Sequence, residues 1–257
     1  MKNKTLVQVL NLVFFIATAV INVLSTTLPI GVADPGTISD SIPNLFVPAG
    51  LTFSIWSVIY ILLAIFSVYQ MRDIFKKEKV DMPYLDKISF FFILSSIANI
   101  IWIFLWQFLF VPYSLIAMLV LLSSLLIIYL RLGIGREKVS KMEKFAVHLP
   151  FSVYLGWITV ATIANVTAIL VDTLGVPGFG PLAEFFTVFV IGVAVVITLA
   201  MLLTRKDVGY SLVIIWALLG IYIKQSNLNF VVSTTAIIAM VIVSVGIIYI
   251  AVKYFRK

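Results

Sequence analysis

PNLFVPAGLTFSIWSVIYILLAIFSVYQ, residues Pro43–Gln70, joins a proline-punctuated entry to an apolar run that carries Trp56 and Tyr60. The two aromatics are spaced i, i+4, so on a helix both rings lie on one side, one turn apart. Pro43 and Pro48 fix their own φ and bias the preceding residues toward extended backbone, which predicts a stiff lid and a helix beginning near Ala49. The run is long enough to cross a hydrocarbon layer about 30 Å thick. Its aromatics then read either as interfacial anchors or as one wall of a site beneath the lid.

Outward from this stretch the composition agrees. Of 257 residues, 62% are hydrophobic and 11% charged, against about 25% charged in soluble domains. Helices satisfy their own backbone hydrogen bonds in lipid, so the chain is predicted to be an all-α polytopic membrane protein. There is no cysteine, which excludes disulfides, thiolate chemistry and cysteine-ligated metals or clusters. No residue cluster calls for a metal or another cofactor. The net charge of +7 sits in short loops between apolar runs, where it sets topology and does not mark a nucleic-acid surface.

Eight spans are predicted, over 6–28, 49–71, 88–110, 113–132, 145–171, 182–203, 208–223 and 230–252, with the seventh the weakest because it is short. With eight spans, 17 of the 18 Lys and Arg residues fall on one side and only Lys224 lies opposite, which predicts a cell-membrane protein with both termini cytoplasmic. Lys2 and Lys4 precede the first run, which is read as an uncleaved span because no small-residue cleavage site ends it. Two external connections are rich in Pro and Gly: PIGVADPGTISDSIPNLFVPAG, starting at Pro29, and DTLGVPGFGP, starting at Asp172. The second divides a predicted five-helix domain, 1–174, from a C-terminal extension of about three helices, 175–257. No internal repeat of the kind common in transporters is present.

Polar and aromatic residues recur inside the spans. In the third, Asn99, Trp102, Trp106 and Gln107 occupy neighbouring faces, and Trp102 lies too deep for a headgroup belt. In the fifth, Tyr154, Trp157, Ala161 and Asn165 recur at three and four residues, one stripe of aromatic, small and amide side chains. His148, the single histidine, has no second histidine or neighbouring carboxylate to complete a site, so a solvated or capping role is expected.

These residues resemble the TspO/MBR family, the tryptophan-rich sensory proteins related to the translocator protein. Prolines followed by W-x-x-x-Y are matched by Pro43, Pro48, Trp56 and Tyr60; N-x-x-W by Asn99 and Trp102; and Y-L-x-W-x-S/T-x-A-T-x-x-N by Tyr154, Leu155, Trp157, Thr159, Ala161, Thr162 and Asn165. The resemblance spans residues 1 to about 170. It implies a five-helix bundle that binds a tetrapyrrole, sterol or benzodiazepine-type ligand in a cavity beneath the first external loop, often as a homodimer. The chain departs from the pattern in three places. The loop tryptophan of P-S-W-x-P-P is missing, the third span lacks its proline, and no basic residue follows the fifth span between Val166 and Asp172.

The leading expectation is a receptor or sensor for a flat hydrophobic ligand, stacked on Trp56, Tyr60, Trp102, Tyr154 and Trp157 and oriented by Asn99 and Asn165 beside the small Ala161. A facilitative permease for an apolar solute is the alternative. Ion coupling is disfavoured because the span interiors carry no Asp, Glu, Lys or Arg. An intramembrane enzyme would need a nucleophile with a base or a ligand cluster, and the sequence supplies neither.

Overall fold

The computed structural model describes residues 4–28 and 30–255; Lys2, Pro29, Arg256 and Lys257, all used in reading the sequence, lie outside them. Every regular element among the described residues is helical. Seven helices are long and apolar enough to span a membrane: α1 (Lys4–Thr27), the 21-residue span Gly50–Gln70 formed by a 3-10 turn at Gly50–Ser54 and α3 (Ile55–Gln70), α6 (Val111–Leu132), α7 (Lys141–Thr173), α8 (Pro181–Arg205), α9 (Val208–Gln225) and α10 (Phe230–Phe255). An eighth apolar helix, α5 (Phe91–Gln107), is shorter, and α2 (Pro35–Ser41) and α4 (Pro83–Ile88) are short connecting helices.

The weak span is therefore the third and not the seventh. α9 reaches 18 residues because Asp207 caps it, its carboxylate accepting from the Tyr210 N–H at 3.1 Å. α5 stops at Gln107 because Leu109 turns left-handed, with φ 61°, and Phe110 N–H bonds back to the Leu105 carbonyl at 2.8 Å. Pro112 then opens α6 within its first turn, where its missing N–H has no helical partner to lose. Likewise α3 begins at Ile55, several residues after the expected Ala49, because the preceding residues wind as the 3-10 turn.

Two units can be distinguished: Met1–Pro35 with Ile55–Leu155, and Gly36–Ser54 with Gly156–Lys257. The boundary passes through α7. In the first unit, Phe66 of α3, Phe92 of α5 and Phe151 of α7 meet edge to face, with centroids 5.1 to 5.8 Å apart, and form a fully buried aromatic centre. α1 is arranged inversely to a soluble helix. Its buried residues are Gln8, Asn11, Thr18 and Ser25, while Val13, Ile16, Val20 and Val23 are exposed. Lipid is as apolar as the core, so hydrogen bonds, and not hydrophobicity, decide which face turns inward.

His148 corrects an expectation, because it is buried and lies in a wide turn at Lys144–His148 within α7. Two residues on, Pro150 has no N–H with which to bond the Ala146 carbonyl, which accounts for the widening there.

Candidate ligand site

Of the residues expected to form the site, Trp56, Tyr60, Asn99, Trp102 and Tyr154 belong to the first unit, and Trp157, Ala161 and Asn165 to the second. In the first, α3 buries Ile55, Ile59, Leu62, Leu63, Phe66 and Ser67 along one stripe. Trp56 and Tyr60 stand at its edge, half-buried. Their rings stack with centroids 5.7 Å apart and an interplanar angle of 17°, as the i, i+4 spacing predicts. Tyr154 of α7 meets the Trp56 indole edge-on at 6.0 Å. Its hydroxyl neighbours the Asn99 carboxamide of α5, whose Oδ1 accepts from Asn22 Nδ2 of α1 at 2.8 Å. The Tyr60 hydroxyl oxygen is buried and has no hydrogen-bond partner among the described residues.

Four helices thus bring three aromatic rings and two amides together. The amides fix the orientation of one another, and Tyr60 supplies a hydroxyl with donor and acceptor capacity to spare.

Trp102 lies one turn beyond Asn99 on α5. It is buried and stacks on Trp106 at 5.8 Å. The Trp106 indole N–H donates to the Pro35 carbonyl at 3.2 Å, and the Gln107 amide to the carbonyls of Ser25 and Ala33 at 2.7 and 3.0 Å. This end of α5 anchors the chain leaving α1. Gly31 is required there, since a Cβ would come within 2.5 Å of the Gln107 carbonyl oxygen.

In the second unit Trp157 and Asn165 are buried and Ala161 is half-exposed. The Trp157 ring meets Phe53 edge-on at 6.0 Å, 81° apart. The 36–54 segment is held by α9 along its length. Ala49 N–H donates to the Gly220 carbonyl at 3.0 Å, the Trp216 indole N–H to the Thr52 carbonyl at 3.0 Å, and the Gln225 amide to the Leu45 carbonyl at 3.2 Å. Lys224 pairs with Asp40, and Asn44 Oδ1 accepts from the N–H groups of Phe46 and Val47 at 3.1 Å. Lys224, the one basic residue on the predicted external side, thus serves this segment. α9, in the predicted C-terminal extension, thus fastens the 36–54 segment.

Asn22, Phe53 and Trp216 were missed in the sequence. Asn22 had a signal, because Gln8, Asn11, Thr18, Asn22 and Ser25 repeat at three, four and seven residues, a polar stripe on an apolar helix. Phe53 and Trp216 had none, since their partners lie far away in the chain.

Against known proteins, the family model described as TSPO-like protein matches residues 8–249, a range that takes in α8, α9 and most of α10 as well as the motif-bearing helices. No curated protein and no solved structure matches the chain.

Proposed function

We propose, from the premise that the chain belongs to the TSPO-like protein family, that this multi-pass membrane protein is a receptor or sensor for a flat hydrophobic ligand of the tetrapyrrole or sterol class. The observation that carries the reading is the cluster of Trp56, Tyr60 and Tyr154 beside Asn99. Small-molecule sites are mostly apolar and aromatic, with a few placed polar groups. Here the rings supply stacking area, and the buried Tyr60 hydroxyl supplies a polar contact that the protein itself leaves open. Trp157, Ala161 and Asn165 of the second unit are proposed as ligand-binding residues from their sequence stripe, and the termini to be cytoplasmic in the cell membrane, from the one-sided distribution of Lys and Arg.

The test is a titration of the purified protein with protoporphyrin, followed by the porphyrin absorbance band, with cholesterol as competitor. Trp56→Phe keeps most of the apolar area and removes part of the stacking surface. Aromatic pairing contributes about 0.5–1.5 kcal/mol beyond area, so the dissociation constant should rise roughly two- to tenfold with the protein still folded. Trp157→Phe, measured alongside, reports whether the ligand also reads that indole. Absence of saturable binding to either ligand, or an unchanged constant in Trp56→Phe, refutes the reading.

A further inference from the structure

The connection between α3 and α4 presents Phe75 at 98% exposure, next to the exposed Lys76 and Lys77. This position is held rigidly. The buried Asp73 carboxylate accepts from Lys4 Nζ at 2.7 Å, Gln8 Nε2 at 2.8 Å and Val80 N–H at 2.8 Å. Lys79 Nζ donates to the carbonyls of Asp73 and Ile74, both at 3.1 Å. Ile74 N–H bonds the Met71 carbonyl and Lys76 N–H the Asp73 carbonyl, each at 3.0 Å. The base of the loop is therefore pinned at Asp73 and Ile74 on one side and at Lys79 and Val80 on the other.

Phe75 comes five residues after α3 ends at Gln70, a reach of at most about 17 Å, and the turns over 71–75 shorten it, so Phe75 stays near the membrane end of the span. An exposed aromatic flanked by lysines suits the boundary between acyl chains and headgroups, and lysines at that depth attract anionic lipid. The charge of the unit is complementary as well. At this end of α3, α4, α6 and α7, eleven Lys and Arg residues (Lys4, Arg72–Lys144) face six Asp and Glu.

We propose that Phe75, Lys76 and Lys77 form a wedge that inserts into the leaflet on its own side and selects anionic phospholipid, Phe75 entering the acyl boundary and the two ammonium groups meeting lipid phosphates.

Because the chain has no cysteine, Glu78→Cys gives a single site for an environment-sensitive fluorophore while the wedge stays intact. The labelled full-length protein is reconstituted into vesicles of phosphatidylcholine alone and of phosphatidylcholine with about one third phosphatidylglycerol, which gives a strongly anionic surface. The expected result is emission shifted to the blue and quenched by headgroup spin-labelled lipid, more strongly in the anionic vesicles. The anionic increment should disappear in molar salt. Each of Lys76→Gln and Lys77→Gln should lower the ratio of inserted to free loop roughly fivefold, and Phe75→Ala should remove the quenching while circular dichroism remains native. Water-like emission in both vesicles overturns the proposal. Equal burial in both overturns the anionic preference, and a signal that grows with the protein-to-lipid ratio assigns the surface to a second copy of the chain and overturns it too.

Discussion

Replacing Gly220 by alanine should loosen the 36–54 segment from α9. A Cβ built on Gly220 lies 1.9 Å from Thr52 Oγ1, 2.9 Å from Pro48 Cβ and 3.0 Å from Thr52 Cβ. Rotating the Thr52 hydroxyl away relieves the first overlap and leaves the other two, so segment and helix must separate. Overpacking of this kind costs about 1–3 kcal/mol. Separation also lengthens the bond from Ala49 N–H to the Gly220 carbonyl and the neighbouring bond from Trp216 to Thr52, each contributing about 1 kcal/mol. Alanine returns about 1 kcal/mol of helix propensity. The net loss is about 3 kcal/mol, which for a protein of this size lowers the melting temperature by roughly 6–12 °C. Gly192 on α8 is the matched control, because a Cβ there meets nothing within 4 Å; Gly192→Ala should be neutral or raise stability by up to about 1 kcal/mol. The assay is thermal unfolding in detergent, with limited proteolysis of the segment as a local readout. If Gly220→Ala melts and digests like Gly192→Ala, the close packing is wrong.

Three other outcomes are expected. Asn22→Ala strips Asn99 Oδ1 of its donor and should cost about 0.6–2 kcal/mol, read as a lower unfolding midpoint in nanodiscs; an unchanged midpoint would show that the amide pair contributes nothing. Burial of the Asp73 carboxyl acts to raise its pKa, but hydrogen bonds from Lys4, Gln8 and Val80 and the Lys4 charge lower it from 3.8 to about 2. A pKa depressed by folding gives stability that is complete above the unfolded value and is lost as pH falls through the folded one. Melting temperature should thus fall between about pH 4 and pH 2, and Asp73→Asn should flatten that part of the profile. Finally, cysteines at the exposed Ser41 and Lys141 should react with an impermeant reagent from opposite sides of intact cells, and reaction of both from outside would discard the proposed topology.

The helices were readable in the sequence because hydropathy acts locally, and the stacking of Trp56 on Tyr60 followed from spacing alone. The rest depended on two things that a local pattern does not carry. One is the sense of burial: on α1 the face that turns inward is the one with Gln8, Asn11, Thr18 and Ser25, so a reading that seeks apolar stripes as core selects the lipid-facing side. The other is distance along the chain. Trp216 bonds the carbonyl of a residue 164 positions away through its indole N–H, and a backbone carbonyl acceptor leaves no trace in residue type. Length was misjudged at α5 for a related reason. Phe108, Leu109 and Phe110 continue the apolar run, and only the left-handed Leu109 backbone ends the helix.

The helices also differ in length in a way the bilayer must absorb. At 1.5 Å per residue, the 33 residues of α7 extend about 50 Å and the 17 residues of α5 about 26 Å. A hydrocarbon layer of about 30 Å is too thin for the first and slightly too thick for the second. α7 has to tilt or project into water with its charged end at Lys141, Glu143 and Lys144. Lipids bordering α5, whose Phe108, Leu109 and Phe110 are exposed at its end, have to compress. Such mismatch costs fractions of a kcal/mol per Å, so the thickness of the surrounding bilayer enters the stability of this fold helix by helix.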